Sequence, residues 1–308
     1  MKTRLKHRVE YAVLRGVAVL VGVLPYRAAL AVGWGLAGIG FHAVRFRRRE
    51  AERRIREVFG GRYTDRQVRQ IAWQSLRNLL FTAVDIIRTP STTLDFLKGV
   101  ADYDEFLRQV ATHHATGRGA IIALPHMGAW ELPGRAMLLS GLPLFSVAGK
   151  QRNPLFDQYL NTTRERSGIP ITMRGASTLR AIITRLKAGD FLALLPDVRM
   201  RTEAVKVRFL GKEANLGAGM ALFARHAGVP IYPVIVTRAG WARHAARIYP
   251  PIFPDPSLDK QADVQRMTQQ VMDIITQAIL ADPGQWFWYN KRWVLEPVKT
   301  EGAADERT

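Results

Sequence analysis

The sequence predicts an α/β fold, in which a mixed, largely parallel central sheet is covered by helices on both faces and follows an N-terminal apolar helical membrane anchor. The first observation behind this prediction is that, from residue 119 onward, short continuous apolar runs alternate with helical patterns, as in sheets buried on both faces. The second is that two apolar stretches occupy most of the first 44 residues. We therefore divide the chain into an anchor at 1–48, an α/β domain at 49–298 and a disordered tail at 299–308.

The predicted anchor consists of two short apolar stretches. The first, residues 11–24, is broken only by Arg15, and the segment 25–27 separates it from the second, at 28–44. Each stretch is shorter than the ~20 residues of a spanning helix, so we expect one tilted helix or a helical hairpin that dips into one leaflet. Basic residues flank both ends, which suits an anionic cytoplasmic leaflet. The alternative is a buried helical hairpin of a soluble protein.

Composition limits the classes of partner. The formal net charge of +19 favours anionic partners, such as nucleic acid, anionic lipid headgroups or an acidic carrier protein. Nucleic acid is not expected, because neither zinc-finger spacing nor an aromatic-rich RNA-binding motif occurs. Cysteine is absent, which excludes disulfides, thiolate ligands and a cysteine nucleophile. The pair His113 and His114 has no carboxylate cluster nearby, so neither a metal nor a cofactor is predicted.

Residues 50–112 are predicted to be helical. Thr64 and Asp65 give an N-cap signal, after which an apolar face continues to Val84. The segment 102–106 opens another amphipathic helix. These helices precede the first strand of the sheet.

The loop after that strand carries the candidate catalytic residue. The run 120–124 is apolar, Pro125 ends it, and Gly128 permits a tight turn before a helix that begins after Glu131. His126 therefore lies at the carboxyl end of a strand, where open α/β sheets place their chemistry. A turn can bring the Glu131 carboxylate to one imidazole nitrogen, which leaves the other nitrogen free to take a proton from a substrate hydroxyl. By spacing alone, a surface pair or a satisfied core pair is the alternative.

The remaining strands and helices follow the same pattern. Asp197 follows the apolar run 191–195, again at a carboxyl end, so it is a candidate to orient the loop that carries His126. Further strands are predicted at 142–147, 169–172, 205–209 and 229–236, and helices at 155–163, 177–187 and 264–280. The aromatic and basic segment 285–293 suits either a membrane interface or a C-terminal strand that seals the core.

The motif His126-Met-Gly-Ala-Trp-Glu131 resembles the H-x4-D/E motif of the glycerolipid and lysophospholipid acyltransferase superfamily. More narrowly, it resembles the form found in lipid A late (lauroyl/myristoyl) acyltransferases and in mycobacterial phosphatidylinositol mannoside acyltransferases. Four further blocks resemble the family's blocks in the same order: 153–157 followed by Arg164 and Arg166, 189–190 with 195–197, 207–211, and 285–293. The resemblance therefore covers nearly the whole chain.

This resemblance implies a membrane-associated acyltransferase on the cytoplasmic face of the inner (plasma) membrane. Its donor would be acyl carrier protein or acyl-CoA, its acceptor a hydroxyl of a lipid or glycolipid such as a lipid A precursor, and anionic membrane lipids would be further partners. The resemblance also implies that His126 is the base and that Glu131 orients it. The substrate-binding residues would be Arg164, for a charged group of the acceptor, then Arg166, together with Asn153 and Asp197.

Three departures from the family pattern limit what the resemblance implies. After Pro196 and Asp197, where the lipid A enzymes read P-D-x-D, this chain has Val198 and Arg199, so the acceptor is left open among lipid A, a phosphatidylinositol mannoside, an amino-acid lipid and an aryl polyene precursor. The segment 215–219 stands near the place of a threonine-rich stretch in the family. Asn290 stands where the family usually has His, so no catalytic role is expected there.

Two other functions remain compatible with the sequence. The first is a non-catalytic basic protein on the same fold that binds membranes or nucleic acid. The second is a hydrolase in which His126 and Glu131 activate water. A serine hydrolase is disfavoured, because no G-x-S-x-G motif occurs.

Overall fold

A computed structural model of the chain describes residues 5–148, 153–173, 178–200 and 204–296. The tail predicted at 299–308 lies outside the described residues. The described helices are α1 (Leu5–Val23), α2 (Tyr26–Gly38), α3 (Arg48–Phe59), α4 (Asp65–Arg88), α5 (Leu94–Val100), α6 (Asp104–His114), α7 (Leu132–Leu139), α8 (Pro154–Arg166), α9 (Thr178–Lys187), α10 (Gly219–Ala227) and α11 (Lys260–Ala281). The strands are β1 (Ala101–Asp102), β2 (Ala120–Ala123), β3 (Leu144–Ala148), β4 (Ile171–Met173), β5 (Phe191–Leu194), β6 (Val205–Phe209), β7 (Lys212–Leu216), β8 (Ile231–Arg238) and β9 (His244–Ile248).

Seven strands form the central sheet in the order β1-β9-β8-β2-β5-β3-β4. Every pair is parallel except β8–β9, which is antiparallel, so the predicted mixed, largely parallel α/β sheet is confirmed. The run 205–209 is a strand as predicted, but it pairs with β7 in a separate antiparallel hairpin. Strand β9 was not predicted, because His244 and Arg247 interrupt the short apolar run that it contains.

Successive residues of β2 pack into apolar clusters on opposite faces of the sheet, which explains why the strand is apolar throughout. Ile121 belongs to the apolar cluster that includes residues of α9, α10 and α11. Ile122 belongs to the cluster on the other face, with Phe106 of α6 and Met137 of α7. Successive side chains of a strand point to opposite faces, so a strand covered on both sides has no polar position.

Helices α1 and α2 form a hairpin that packs against α4. Apolar contacts come from Val21, Ala29 and Leu30 of the hairpin and from Phe81 and Val84 of α4. Helix α4 itself begins at the predicted N-cap, where Thr64 and Gln67 form a capping box. The hairpin is therefore seated on a helix whose start is fixed by its own sequence.

A buried polar network also fastens this hairpin to the sheet. The Tyr26 hydroxyl of α2 donates to Asp85 at 2.8 Å and lies 2.8 Å from Nε2 of His244. Asp85 forms an ion pair with Arg238 at the end of β8. Burial, together with the charge of Arg238, lowers the pKa of His244 to about 3, so its ring is neutral at physiological pH.

Of the helices that the structure describes, none is by itself both long and apolar enough to cross a membrane. The bent pair Tyr26–Ala43 and Arg48–Arg62, whose parts meet at 88°, satisfies length and composition when taken together.

The C-terminal aromatic segment lies in the core. Trp286, Trp288 and Trp293 are at most 5% exposed, so the prediction that 285–293 seals the core is confirmed and the membrane-interface alternative is wrong. The segment is not a strand. It begins in a 3-10 helix at Pro283–Gln285, and its β pairing is limited to an isolated bridge between Trp286 and Met127. Polar side chains of α4 hold its backbone: Ser75 donates to the Trp286 carbonyl at 2.6 Å and Asn78 to the Gly284 carbonyl at 2.9 Å.

Candidate active site

The loop that follows β2 emerges at the carboxyl edge of the sheet, as predicted. Its tight turn requires Gly128, whose φ is +59° and at which an added Cβ would lie 2.3 Å from the Val236 carbonyl oxygen. Thr82 of α4 donates to the Gly128 carbonyl at 2.8 Å and fixes the far side of the turn. The turn that follows His126 and Met127 therefore packs against both β8 and α4.

His126 is paired with the carboxylate of Asp197. Strands β2 and β5 are parallel neighbours, so the residues that follow them meet at one edge. Nδ1 of His126 lies 2.8 Å from Oδ1 of Asp197, and the backbone N–H of His126 donates to Oδ2 at 2.8 Å. The imidazole is 25% exposed and the carboxylate 1%, so the ring reaches the solvent side while its partner is buried.

Asp197 is held as a buried anion. Burial on its own raises the pKa of this carboxyl, but the charge of His126 and hydrogen bonds from the His126 ring, the Trp286 indole and the His126 backbone bring the pKa below its ordinary value. A carboxylate that stays ionised beside Nδ1 holds the proton on that nitrogen. The Nε2 atom then carries the free lone pair of the neutral ring.

The expected pairing of Glu131 with His126 is wrong. The Glu131 carboxylate instead accepts a hydrogen bond from Nη2 of Arg164 at 3.1 Å. Glu131 immediately precedes α7, and from there its side chain extends to α8, which carries Arg164. The carboxylate that contacts the His126 ring therefore comes from the end of the neighbouring strand β5 and not from the same loop.

The four residues predicted to bind substrate lie in different settings. Arg164 lines the same cavity as His126 and Glu131. Arg166 is exposed on the last turn of α8, and its side chain forms no hydrogen bond within the described residues. Asn153 caps α8 by accepting from the backbone N–H of Leu155 at 3.1 Å. Its amide nitrogen also donates to Glu10 of α1 at 2.9 Å, so its polar atoms serve the packing of α1 against α8.

Asp197, the fourth residue predicted to bind substrate, is buried beside the His126 ring. Both of its oxygens are occupied by His126 and Trp286. Its place beside the imidazole matches the other role considered for it, the orientation of the loop that carries His126. The sequence signal for this role was the position of Asp197 at a strand end.

An apolar cavity of about 300 Å³ opens beside His126. Its floor is one face of the sheet, where Ile122, Ala193 and Ser146 form one row of neighbouring strand residues. Its walls come from helices α1, α4, α6, α7 and α8, through Leu14, Ala83, Ile86, Ile87, Phe106, Pro133, Gly134, Met137, Phe156, Tyr159 and Leu160. The mouth is polar and the interior apolar, which suits a ligand with a reactive head and a hydrocarbon tail.

Strand geometry gives the depth of this cavity. Ile122 lies four residues before His126, which corresponds to about 13 Å along an extended chain. Leu144, which also lines the cavity, pairs with Phe191, two residues before Ala193 and so about 20 Å from the level of His126. The lining residues of the sheet thus extend from about 13 Å to about 20 Å from the level of His126.

A metal-dependent site finds no support within 5–148, 153–173, 178–200 and 204–296, because these residues contain no group of three or more His, Cys, Asp and Glu that could hold an ion. His113, one of the two neighbouring histidines, lies 3.0 Å from the Gly119 carbonyl through Nε2. Its ring packs on Phe191 and Tyr232, so its contacts are those of a structural residue.

The chain matches one family model and is similar to several known proteins. Residues 1–294 match the family model described as bacterial lipid A biosynthesis acyltransferase. A phosphatidylinositol mannoside acyltransferase of Mycolicibacterium smegmatis is 26% identical over 186 residues, which cover 58% of this chain and 58% of that protein. A lipid A biosynthesis acyltransferase of Haemophilus influenzae is 25% identical over 186 residues, covering 59% of this chain and 56% of that protein. The chain thus spans less than two thirds of the length of these relatives.

Among solved structures, the chain is similar to the 1-acyl-sn-glycerophosphate (LPA) acyltransferase PlsC of Thermotoga maritima, with 14% sequence identity and a TM-score of 0.38. The similarity covers 83% of this chain and 96% of that one.

Proposed function

Because the chain belongs to the bacterial lipid A biosynthesis acyltransferase family, we propose that it is a membrane-associated acyltransferase that moves a fatty acyl group from a thioester to a hydroxyl of a lipid or glycolipid. The observation that carries this proposal is the His126–Asp197 pair at the mouth of an apolar cavity of about 300 Å³. The pair supplies a base and the cavity accommodates an acyl chain.

His126 acts as the general base through Nε2. Asp197 occupies Nδ1, and within the described residues no hydrogen-bond partner occupies Nε2. The acceptor hydroxyl gives its proton to Nε2 while its oxygen forms a bond to the thioester carbonyl carbon. The tetrahedral intermediate then loses the thiolate as the carbon–sulfur bond breaks, and the imidazolium returns its proton to the sulfur. The products are an ester and a thiol, and the base is regenerated.

The donor is an acyl thioester, carried by acyl carrier protein or by CoA. Its hydrocarbon chain enters the cavity parallel to the strands and crosses the row of Ile122, Ala193 and Ser146, with the carbonyl carbon beside His126. Burial of the chain in this apolar space supplies the binding free energy, at about 0.8 kcal/mol for each methylene. The net charge of +19 attracts an anionic donor of either kind.

The depth of the cavity sets the acyl chain length. Replacing Ala193 by leucine fills the row at about 13 Å, so we expect the preferred donor to become shorter. Replacing Leu144 by alanine opens the space at about 20 Å, so we expect a shift toward longer donors. Initial rates with octanoyl, dodecanoyl and hexadecanoyl thioesters measure both shifts. The same shift in both variants, or none in either, would contradict this assignment of the cavity.

The acceptor binds at the polar mouth of the cavity. Arg164 is 25% exposed and is held by Glu131, so its guanidinium is positioned to contact a charged group of the acceptor without being free to swing away. The acceptor class is a lipid or glycolipid hydroxyl, with a lipid A precursor as one member. The departure at Val198 and Arg199 leaves the choice within that class open.

The N-terminal hairpin binds the membrane. Of the 14 large apolar side chains that are exposed in the described residues, 11 lie between Leu5 and Phe46. Along α1, the exposed residues Val9, Val13 and Leu20 follow one helical stripe on the side away from the protein. Arg45 and Arg49 are exposed close in sequence to the exposed Val44 and Phe46, and they suit anionic headgroups. We therefore assign residues 1–48 to membrane association on the cytoplasmic face of the inner membrane.

A double substitution tests the membrane face. Val13 and Leu20 are 62% and 46% exposed, so replacing both with aspartate should leave the fold intact while removing apolar area that enters the bilayer. We expect co-sedimentation with vesicles that contain phosphatidylglycerol to weaken at least about 10-fold.

The matched control for this substitution replaces Leu179 and Phe253 with aspartate. These side chains are 44% and 56% exposed at other places on the surface. Equal weakening by both double variants would mean that the added charge, and not the hairpin face, explains the effect.

Mass spectrometry of total lipids from cells with and without the protein tests the proposed function as a whole. A lipid that gains one acyl chain only when the protein is present would establish the transfer and identify the acceptor. If purified protein consumes no acyl thioester with such lipids, the proposal is rejected.

A further inference from the structure

The indole of Trp286 is a third partner of the His126–Asp197 pair. Its Nε1 donates to Oδ2 of Asp197 at 2.8 Å, the same oxygen that accepts the backbone N–H of His126. The other oxygen, Oδ1, is left for Nδ1 of His126. The two donors on Oδ2 therefore determine which carboxylate oxygen faces the imidazole.

The backbone of residues 285–287 also forms hydrogen bonds with the loop that carries His126. Phe287 donates its N–H to the His126 carbonyl at 3.1 Å, and Gly128 donates to the Gln285 carbonyl at 3.4 Å. An isolated antiparallel bridge joins Met127 to Trp286 between these two bonds. The segment 285–287 thus contacts both members of the pair.

Burial makes the indole contact difficult to replace. Trp286 is 3% exposed and the Asp197 side chain 1%, so bulk solvent does not reach the contact between them. A hydrogen bond to a charged group is stronger than a neutral one, and leaving a buried anion with one donor fewer carries a full desolvation cost.

We propose that Trp286 is a positioning residue, whose indole N–H fixes the Asp197 carboxylate so that Asp197 in turn holds His126 with Nε2 directed to the substrate. This inference rests on the proposed function for its effect on rate, although the positioning itself can be measured without it. Trp286 is not among the residues that line the cavity, so it acts through Asp197 and not on the substrate.

The aromatic cluster around Trp286 provides matched controls. The rings of Trp288 and Trp293 lie 4.8 Å and 6.1 Å from that of Trp286, and both are buried. Their indole groups donate elsewhere, Trp288 to the Pro283 carbonyl at 2.7 Å and Trp293 to Glu57 at 3.1 Å. A role in packing alone would be shared by all three tryptophans, whereas the contact with Asp197 belongs to Trp286.

The kinetic test compares Trp286→Phe with Trp288→Phe and Trp293→Phe. Loss of the donor leaves more of the Asp197 charge to attract a proton onto His126, so the acidic limb of the pH–rate profile should move to higher pH in Trp286→Phe. We expect kcat at neutral pH to fall about 10- to 100-fold in that variant, as for the loss of one hydrogen bond to a charged group. The two control variants should keep the wild-type acidic limb, even where their thermal stability falls. An unchanged limb in Trp286→Phe, or the same shift in all three, would overturn the inference.

A second measurement is independent of activity. The ring nitrogens of His126, assigned by loss of their NMR signals in His126→Asn, can be followed as a function of pH in the full-length protein. In Trp286→Phe the midpoint of the pH titration of these signals should move to higher pH. Glu131 and Arg164, the charged residues at the cavity mouth, are unchanged in every variant and so do not account for such a shift. If the His126 signals shift in Trp286→Phe but the wild-type protein transfers no acyl group, the proposed function is rejected and the positioning role is retained.

Should Trp286→Phe fail to fold, benzothienylalanine at position 286 retains the shape of the ring and replaces its N–H by sulfur. The same upward shift of the His126 signals is expected with this residue. A folded protein with unshifted signals would overturn the inference.

Discussion

Replacing His126 by alanine is expected to reduce acyl transfer by about 10²- to 10⁴-fold, the range that a general base contributes. The reason is geometric, because Nε2 of His126 is the basic atom that the structure places at the mouth of the cavity, with Nδ1 already bound to Asp197. Steady-state rates with a purified acyl thioester and acceptor measure the loss. Residual activity equal to that of the wild type would exclude His126 as the base.

The alanine variant leaves the buried Asp197 without its ring partner, so a second variant separates chemistry from stability. Asparagine at position 126 places an amide N–H close to where Nδ1 lies and can still donate to Asp197, but it has no basic nitrogen. We expect His126→Asn to be as inactive as His126→Ala while unfolding closer to the wild-type temperature. His226, which is exposed on α10, serves as the control position, where alanine should leave the rate unchanged.

The position of His126 at a strand end could be predicted from the sequence, and Asp197 was a candidate to orient its loop, but the direct pairing of these two side chains was not predicted. Local signals place His126 at a strand end: a continuous apolar run, then Pro125, then the glycine that the turn requires. The partner depends on the order of the strands, and β5 is separated from β2 along the chain by β3 and β4 although it lies beside β2 in the sheet. Sequence spacing does not reveal strand order. Glu131, which is close to His126 in the sequence, was therefore predicted as its partner in place of the more distant Asp197.

Polar residues within strands explain the other differences between sequence and structure. Strand β9 contains His244 and Arg247 and strand β7 contains Lys212 and Glu213, so neither shows a continuous apolar run, although each pairs with the strand just before it in the chain. Helix α4, with its capping box at Thr64, is determined by local chemistry and was found. The role of Trp286 was missed because an aromatic cluster near the end of a chain suits a core or a membrane interface equally. Only its distance to Asp197 distinguishes it from Trp288.

Replacing Asp197 by asparagine is expected to reduce kcat by about 10²- to 10⁴-fold, as when a triad carboxylate becomes an amide. The amide oxygen can accept the two donors that now converge on Oδ2, the Trp286 indole and the His126 backbone N–H. Its NH₂ group then faces Nδ1 of His126, which must become an acceptor. The ring proton moves to Nε2, so the atom that should take the hydroxyl proton already carries one.

Glu131→Gln is the decisive comparison for this expectation, since Glu131 was the partner expected from spacing. Glutamine keeps a hydrogen bond to Arg164 but loses the charge, so we expect KM for the acceptor to rise while the acidic limb of the pH–rate profile stays that of the wild type. Asp197→Asn should instead affect kcat at nearly constant KM. If Asp197→Asn retained full kcat and Glu131→Gln lost it, the His126–Asp197 pair would be structural, and the carboxylate that matters for the reaction would be Glu131, reached through a rearrangement when substrate binds. The two variants thus assign the orienting carboxylate by which kinetic constant changes, and this assignment does not depend on the size of either loss.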